Sequence, residues 1–211
     1  MKNRNGFVSN SSSSSFIVAF DKNPMEMDVD EMRELLFGDQ DIIAKYDYGF
    51  TAQQLSETVL KDIQQNHSNK EETDKMDNFW SYTVNTFEGK MSKEDLIKAI
   101  SSGYFDGYPD RDWNKDTESD KIRKEARDKG IDPYKDPEWS KRFRKALDKE
   151  FQEEKEKVDK AAKLLAEPFW KEHKNKYLYV VNYSDNNGSY YCVLEHGPTF
   201  DRIPHIRISH H

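Results

Sequence analysis

The histidines of this chain are concentrated near its C-terminus. Four of the six lie in the last sixteen residues: His196, His205, His210 and His211. Imidazole is basic and neutral near pH 7, so it suits proton transfer, and histidines with carboxylates commonly bind metals. We therefore predict His205 and His210 as candidate catalytic residues and a divalent metal ion as a candidate cofactor. The predicted metal ligands are Glu195, His196, His205 and His210.

The spacing of these residues matches no known metal-binding signature. The alternative is that Glu195 to Pro198 forms a turn and that the last two histidines are a solvated C-terminus. The sequence leaves both interpretations open.

A serine-rich segment near the N-terminus is the second candidate site. Serines occupy positions 11 to 15, and Arg4 and Gly6 precede them. Serine hydroxyls and backbone N–H groups can surround a phosphate, and guanidinium groups supply the matching charge. The predicted ligand-binding residues are Arg4, Ser11, Ser12, Ser13, Arg207 and Ser209. The ligand would be a phosphate ester, a nucleotide or a metal ion.

Other roles for the serine segment stay open. It lacks the lysine and the spacing of a P-loop, and it lacks a nucleophile elbow. A serine activated by His205 or His210 would be a nucleophile, whereas an unstructured serine run would be a linker or a target of modification. The sequence does not decide whether the protein is an enzyme.

Strand patterns at the two ends of the chain would position both candidate sites. Residues 16–20 and 177–183 are apolar runs typical of buried strands. Asp185 to Gly188 predicts a tight turn into another strand over 189–195. Residues 205–209 alternate strictly, with Ile206 and Ile208 on one face, and predict a last strand whose other face is polar.

Helical patterns fill the middle of the chain. Predicted helices cover 25–37, a segment beginning at Thr51, a segment capped by Ser92, 117–129, and 137 to about 167. The last begins at Asp136-Pro137, carries one narrow apolar stripe and is stopped or kinked by Pro168. We therefore predict an α+β fold: a small antiparallel sheet of three or four strands from both chain ends, with a large helical insertion. The sheet would use residues 1–20 and 177–211 of a single domain, 1–211, and the mainly helical insertion would span 25–173.

Composition limits the function classes. The net charge of −7 argues against nucleic acid as the main partner. The single cysteine, Cys192, excludes an internal disulfide and suits a reducing compartment. We find no apolar run long enough to span a membrane and no signal peptide, so we expect a cytoplasmic protein and no membrane partner.

The two ends of the chain also carry a resemblance. The chain has RNGFVSNSSSSSF over 4–16, LEHG over 194–197 and PHIRISHH over 204–211. Both ends resemble small uncharacterised proteins of tailed bacteriophages and some bacteria. The resemblance implies a phage or bacterial origin, hence the host cytoplasm if the protein is viral, and it implies no mechanism.

Two functions from different classes fit these observations. The first is a cytoplasmic protein with a polar ligand site built from the serine loop and the C-terminal His/Arg strand. The second is a non-catalytic phage accessory protein that binds a host or virion protein through its acidic surface and long helix. The same 137–167 helix could pair with a second copy of the chain, because a single stripe on so long a helix suits such pairing.

Overall fold

A four-stranded antiparallel sheet is the centre of the fold. The computed structural model describes residues 13–45, 48–68, 91–108, 116–184 and 189–210. The sheet has the strand order β4-β6-β1-β5, and its strands are β1 (Ser13–Phe20), β4 (Tyr104–Phe105), β5 (Tyr177–Ser184) and β6 (His205–Ser209). The predicted α+β fold is confirmed, since three of these strands come from the chain ends.

The described residues also form helices and a small hairpin. The helices are α1 (Val29–Phe37), α2 (Ala52–Ser68), α3 (Lys93–Ile100), α4 (Glu118–Asp128), α5 (Pro137–His173) and α6 (Ser189–His196). A separate two-stranded sheet, β2 (Ile42–Lys45) with β3 (Tyr48–Thr51), was not predicted. The predicted Ser92 cap of α3 is confirmed. Asp28 caps α1 in a capping box, and Gly38 follows the last residue of that helix.

Strand β1 is one of the two inner strands of this sheet, and its side chains alternate between two buried faces. Phe16, Val18 and Phe20 lie in an apolar cluster with residues of α1, α2, β5 and α6. Ile17 and Ala19 point to the opposite face and are also buried. Burial on both faces explains why the run has no charged residue, because an unpaired charge would be costly there.

The segment 189–195 is a correction to the sequence prediction. It forms the helix α6 instead of a strand, and it packs against β5 and β3. Short apolar runs do not distinguish a strand from a buried helix, and here helical spacing lets Tyr190, Val193 and Leu194 face the main core. The predicted turn at 185–188 lies outside the described residues.

The long helix also differs from its predicted end. Helix α5 continues through Pro168 to His173. A proline inside a helix removes one backbone hydrogen bond. The helix continues because packing outweighs this loss: Ala162 and Ala166 are fully buried before the proline and His173 is buried after it.

The chain divides into two compact units. One consists of residues 1–106 and 165–211, and the other of residues 107–164. In the second unit, Ile122 and Ala126 of α4 pack against Trp139, Phe143 and Ala146 of α5. Among the helices in the described ranges, none is both long enough and apolar enough to cross a membrane.

Candidate functional site

The last three serines of the serine-rich segment belong to strand β1. Ser14 pairs with Ser209 of β6 and Tyr183 of β5, and Ser15 pairs with Ile208 and Asn182. Because side chains alternate along a strand, Ser14 and Ser15 point to opposite faces of the sheet. The segment therefore contributes to two separate polar clusters.

The first cluster, here called the charged cluster, consists of Ser14, Glu195, His196 and Arg207. Ser14 is fully buried, and its Oγ donates to Oε1 of Glu195 at 3.3 Å. The same Oγ accepts from Nε and Nη2 of Arg207 at 3.4 and 3.3 Å. A hydroxyl has one donor and two lone pairs, so Ser14 uses its full capacity to link a buried carboxylate to a guanidinium.

Two further contacts hold Arg207 in place. Its Nη2 donates to Nδ1 of His196 at 3.2 Å. Since a guanidinium cannot accept, Nδ1 of His196 is unprotonated, and the protonated Nε2 faces Oε2 of Glu195 at 3.6 Å. The Arg207 guanidinium also lies over the ring of Phe16, 5.7 Å from its centroid. Together these contacts fix the orientation of a charged side chain that is itself exposed.

An open cleft of about 420 Å³ lies along β6 beside the charged cluster. It is lined by Tyr104, Phe105, Asp106, Leu165, His205, Ile206, Arg207 and Ser209. The hydroxyl of Ser209 is buried and has no hydrogen-bond partner within the described ranges. Nη1 of Arg207 also donates to no group among the described residues. The cleft is therefore bordered by polar atoms with unused hydrogen-bonding capacity.

His205 adds an acceptor to the same cleft. Its Nδ1 lies 3.0 Å from the backbone carbonyl oxygen of Ile203. A carbonyl only accepts, so Nδ1 carries the proton and Nε2 of the neutral ring has a free lone pair. The ring lies against Phe16 and Phe200, with centroids 6.2 and 6.3 Å away, which restrains its position.

The second cluster, here called the neutral cluster, lies on the other face of β1. Its members are Ser15, Asn182 and His210. The Oγ of Ser15 lies 2.7 Å from Nε2 of His210 and also donates to Oδ1 of Asn182. Gly103 permits this arrangement, because a side chain there would lie 2.8 Å from Nδ1 of His210 and 2.5 Å from the Ser209 carbonyl oxygen. Ser15 is only 4% exposed, so its hydroxyl is poorly placed to attack a substrate.

The predicted histidine sites are not assembled as one site. His205 and His210 lie at opposite ends of β6, about 16 Å apart along the strand. Glu195 and His196 belong to the charged cluster, whereas His210 belongs to the neutral cluster. Within the described ranges there is no group of three or more His, Cys, Asp or Glu residues that could hold a metal ion. The geometry therefore does not bring the four predicted metal ligands together.

Other predicted site residues have different outcomes. Arg4, Ser11 and Ser12 lie outside the described residues, as does His211. Ser13 is placed in β1, where its carbonyl oxygen accepts from the backbone N–H of His210 at 2.9 Å. Arg207 and Ser209 line the cleft on the polar face of β6, as the alternation of 205–209 predicts.

Sequence reasoning missed Asn182, Tyr104 and Asp106. Asn182 carried a usable signal, since it is the one polar residue inside the apolar run 177–183. Tyr104 and Asp106 gave none, because their place beside β6 depends on β4, a strand of two residues from the middle of the chain.

A titratable group lies on α2, outside both clusters. Burial raises the pKa of Asp62 to about 6, and Lys61 partly opposes this shift. Tyr183, Tyr190 and Tyr191 are close enough to interact electrostatically with this carboxyl. Tyr183 pairs with Ser14, and its hydroxyl is buried without a hydrogen-bond partner in the described residues.

The long helix has exposed apolar residues where the second predicted function needs them. Leu147 and Phe151 continue the stripe of Trp139 and Phe143, and they are 40% and 52% exposed. Docking to a host or virion protein, or to a second copy, stays a prediction.

No family model matches this chain, and no curated protein or solved structure matches it either. The resemblance of its two ends to phage proteins stays a prediction.

Proposed function

We propose that this protein binds a small phosphate ester or a nucleotide in the cleft along β6, with Arg207 as the anion-binding residue. The observation that supports this most is the orientation of Arg207. Its Nε and Nη2 are held by Ser14 and His196, while Nη1 makes no hydrogen bond to the described residues. A guanidinium fixed in advance loses little conformational entropy when an anion binds.

The other residues of the cleft support an ester more than a bare anion. Nε2 of His205 can accept from a ligand hydroxyl, and Ser209 can donate or accept. The carboxylate of Asp106 would repel a bare anion, but it can accept from a hydroxyl on the ester's carbon skeleton. Tyr104 offers a ring next to these groups. A phosphate carried on a sugar or a similar polyol satisfies all of these groups.

Isothermal titration calorimetry with a nucleoside monophosphate, glycerol phosphate and inorganic phosphate tests this proposal. We expect the esters to bind more tightly than inorganic phosphate. Arg207→Met should weaken ester binding by about tenfold to a hundredfold, since a hydrogen bond to a charged group contributes roughly 1.5–3 kcal/mol. The matched control is Arg127→Met, which removes an equally exposed arginine from α4.

A second variant distinguishes weaker ligand binding from lower stability. Arg207→Met also removes a partner of Ser14, so it lowers stability as well as affinity. Ser209→Ala removes a buried hydroxyl that has no partner in the described residues, so it should not lower thermal stability and should still weaken ester binding severalfold. If neither variant changes the affinity, or if no ester binds at millimolar concentration, the proposal is wrong.

A further inference from the structure

A second cleft, of about 550 Å³, lies at the turn between α4 and α5. The lining residues that could contact a ligand through a ring or a charge are Tyr134, Lys135, Lys141, Arg144, Lys145 and Asp148. Four of these residues are cationic and one is a carboxylate, in a chain whose net charge is −7. The volume lies in the range of small-molecule sites, which is roughly 300–1,000 Å³.

Three of the cations converge because of their spacing on α5. Lys141, Arg144 and Lys145 are separated by three and four residues, which places them on one face of the helix. None of them forms an ion pair within the described part of the chain. Lys135 comes from the preceding turn and pairs with Asp132 at 3.5 Å. Like charges on one helical face repel one another, so an anion bound among them would reduce this repulsion.

The neighbouring cation Arg142, in contrast to the three cleft cations, has a structural role in this helix. It lies over the ring of Trp139, 4.6 Å from the centroid, and forms an ion pair with Glu125 of α4 at 3.4 Å. At 100° per residue, the three cleft cations point away from the face of Trp139 and Phe143 that α4 covers. They therefore contribute nothing to the packing of α4 on α5.

Tyr134 provides an apolar surface at the same cleft. Its ring packs edge-to-face on Phe143, with centroids 5.3 Å apart, yet the residue is 63% exposed. The ring is thus held from one side and accessible from another. An exposed, fixed ring beside several cations is the combination that recognises a planar base attached to phosphates.

We propose that this second cleft binds a nucleoside triphosphate, with Lys141, Arg144 and Lys145 on the phosphate chain and Tyr134 stacked on the base. A triphosphate is favoured because its charge matches the excess of cations in the cleft. The carboxylate of Asp148, one turn beyond Arg144 and Lys145 on the same helical face, can accept from a ligand hydroxyl. This site is separate from the proposed Arg207 site and does not depend on it.

Calorimetric titrations at low salt with adenosine triphosphate, sodium triphosphate and adenosine test the proposal. We expect both phosphate compounds to bind and adenosine alone to bind far more weakly. The triple variant Lys141→Gln, Arg144→Gln, Lys145→Gln should weaken triphosphate binding by at least about tenfold, because opposite charges at contact distance supply the attraction. The matched control Lys157→Gln, Lys160→Gln, Lys163→Gln removes the same charge from exposed lysines of the same helix and should change the affinity less than about twofold.

Tyr134→Ala tests the contribution of the base to binding separately from that of the phosphates. It should weaken adenosine triphosphate by about fivefold or more and leave sodium triphosphate unchanged, since stacking contributes roughly 1–3 kcal/mol per base in related sites. Arg207→Met, by contrast, should leave this binding unchanged. Circular dichroism melting curves of the two triple variants should match the wild type, because these lysine and arginine side chains are not part of the α4–α5 packing. Tyr134→Ala removes the ring contact with Phe143, so its affinity is measured at a temperature at which its melting curve shows it folded.

Three outcomes would overturn the proposal. The control triple variant could lose as much affinity as the cleft variant, which would indicate a general charge effect. A second such outcome is that neither adenosine triphosphate nor sodium triphosphate binds at millimolar concentration. A twelve-residue thymidylate could bind much more tightly than adenosine triphosphate and be lost in the same cleft variant, which would make the ligand a nucleic acid instead of a small nucleotide.

Discussion

Ser14 and Ser15 are adjacent, identical in type and nearly fully buried, yet their surroundings have opposite character. Ser14 links the carboxylate of Glu195 to the guanidinium of Arg207. Ser15 contacts the amide of Asn182 and the imidazole of His210. The difference arises from strand alternation alone, which sends one hydroxyl to the α6 side of the sheet and the other to the opposite side.

Because of this difference, we expect the stability of the fold to depend on the Ser14 hydroxyl more than on the Ser15 hydroxyl. Glu195 is completely buried, so its carboxylate depends on protein partners for hydrogen bonds. Asn182 is exposed and His210 is partly exposed, so water can take the place of a lost partner. The same chemical change at the two positions should therefore have unequal effects on stability.

The largest effect is expected at Ser14. Ser14→Val removes the hydroxyl that joins Glu195 to Arg207 and should lower the free energy of unfolding by about 2 kcal/mol, because a hydrogen bond to a charged group contributes roughly 1.5–3 kcal/mol. Urea denaturation followed by circular dichroism measures this. Ser14→Thr is the matched control, since threonine has the shape of valine and retains the hydroxyl. Equal losses in Ser14→Val and Ser14→Thr would show that added volume, and not the hydroxyl, is responsible.

An intermediate effect is expected at Asp62, a carboxyl on α2, which packs on the same side of the sheet as Ser14. Burial raises the pKa of Asp62 to about 6, and the carboxyl has no hydrogen bond to the described residues. Asp62 therefore shows how far a carboxylate on this face lowers the stability when no serine hydroxyl donates a hydrogen bond to it. Asp62→Asn should stabilise the protein at pH 8 by about 1–2 kcal/mol, a figure reduced from the full shift because the side chain is partly exposed to solvent.

The pH dependence of Asp62 has a definite sign. Because the folded state has the higher pKa, the carboxyl is protonated in both folded and unfolded states below about pH 4, and burial there costs little. Between about pH 4 and pH 6 only the unfolded state ionises, so stability falls as the pH rises. Above that window the cost is constant. The advantage of Asp62→Asn should therefore disappear at pH 4, and an advantage independent of pH would contradict the assignment.

The sequence predicted a strand over 16–20 with a serine loop before it, whereas the observed strand begins at Ser13 and so includes Ser14 and Ser15. The apolar run 16–20 indicates a strand, and extending its alternation backwards places Ser14 on the face of Phe16 and Ser15 on the face of Ile17. The polar face of 205–209 likewise predicted the positions of Arg207 and Ser209. The strand predicted over 189–195, which includes Glu195, was wrong: Glu195 and His196 lie in helix α6. A run such as 190–194 is compatible with either helix or strand. Register between distant segments also lies beyond local patterns, so the pairing of Ser15 with Asn182 could not be predicted.

The smallest effect is expected at Ser15. Ser15→Val should lower the free energy of unfolding by about 0.5–1 kcal/mol relative to Ser15→Thr, because the net contribution of a neutral hydrogen bond is roughly 0.5–1.5 kcal/mol and water can reach both partners. The measurement is the same urea denaturation as for Ser14. Ser15→Val and Ser15→Thr could differ in free energy of unfolding by as much as Ser14→Val and Ser14→Thr. In that case, access of water to the partners does not determine how much each hydroxyl contributes to stability. A loss at Ser15 that exceeds the loss at Ser14 would instead indicate that the bridge between Asn182 and His210, which joins β5 to the end of β6, is the more important of the two.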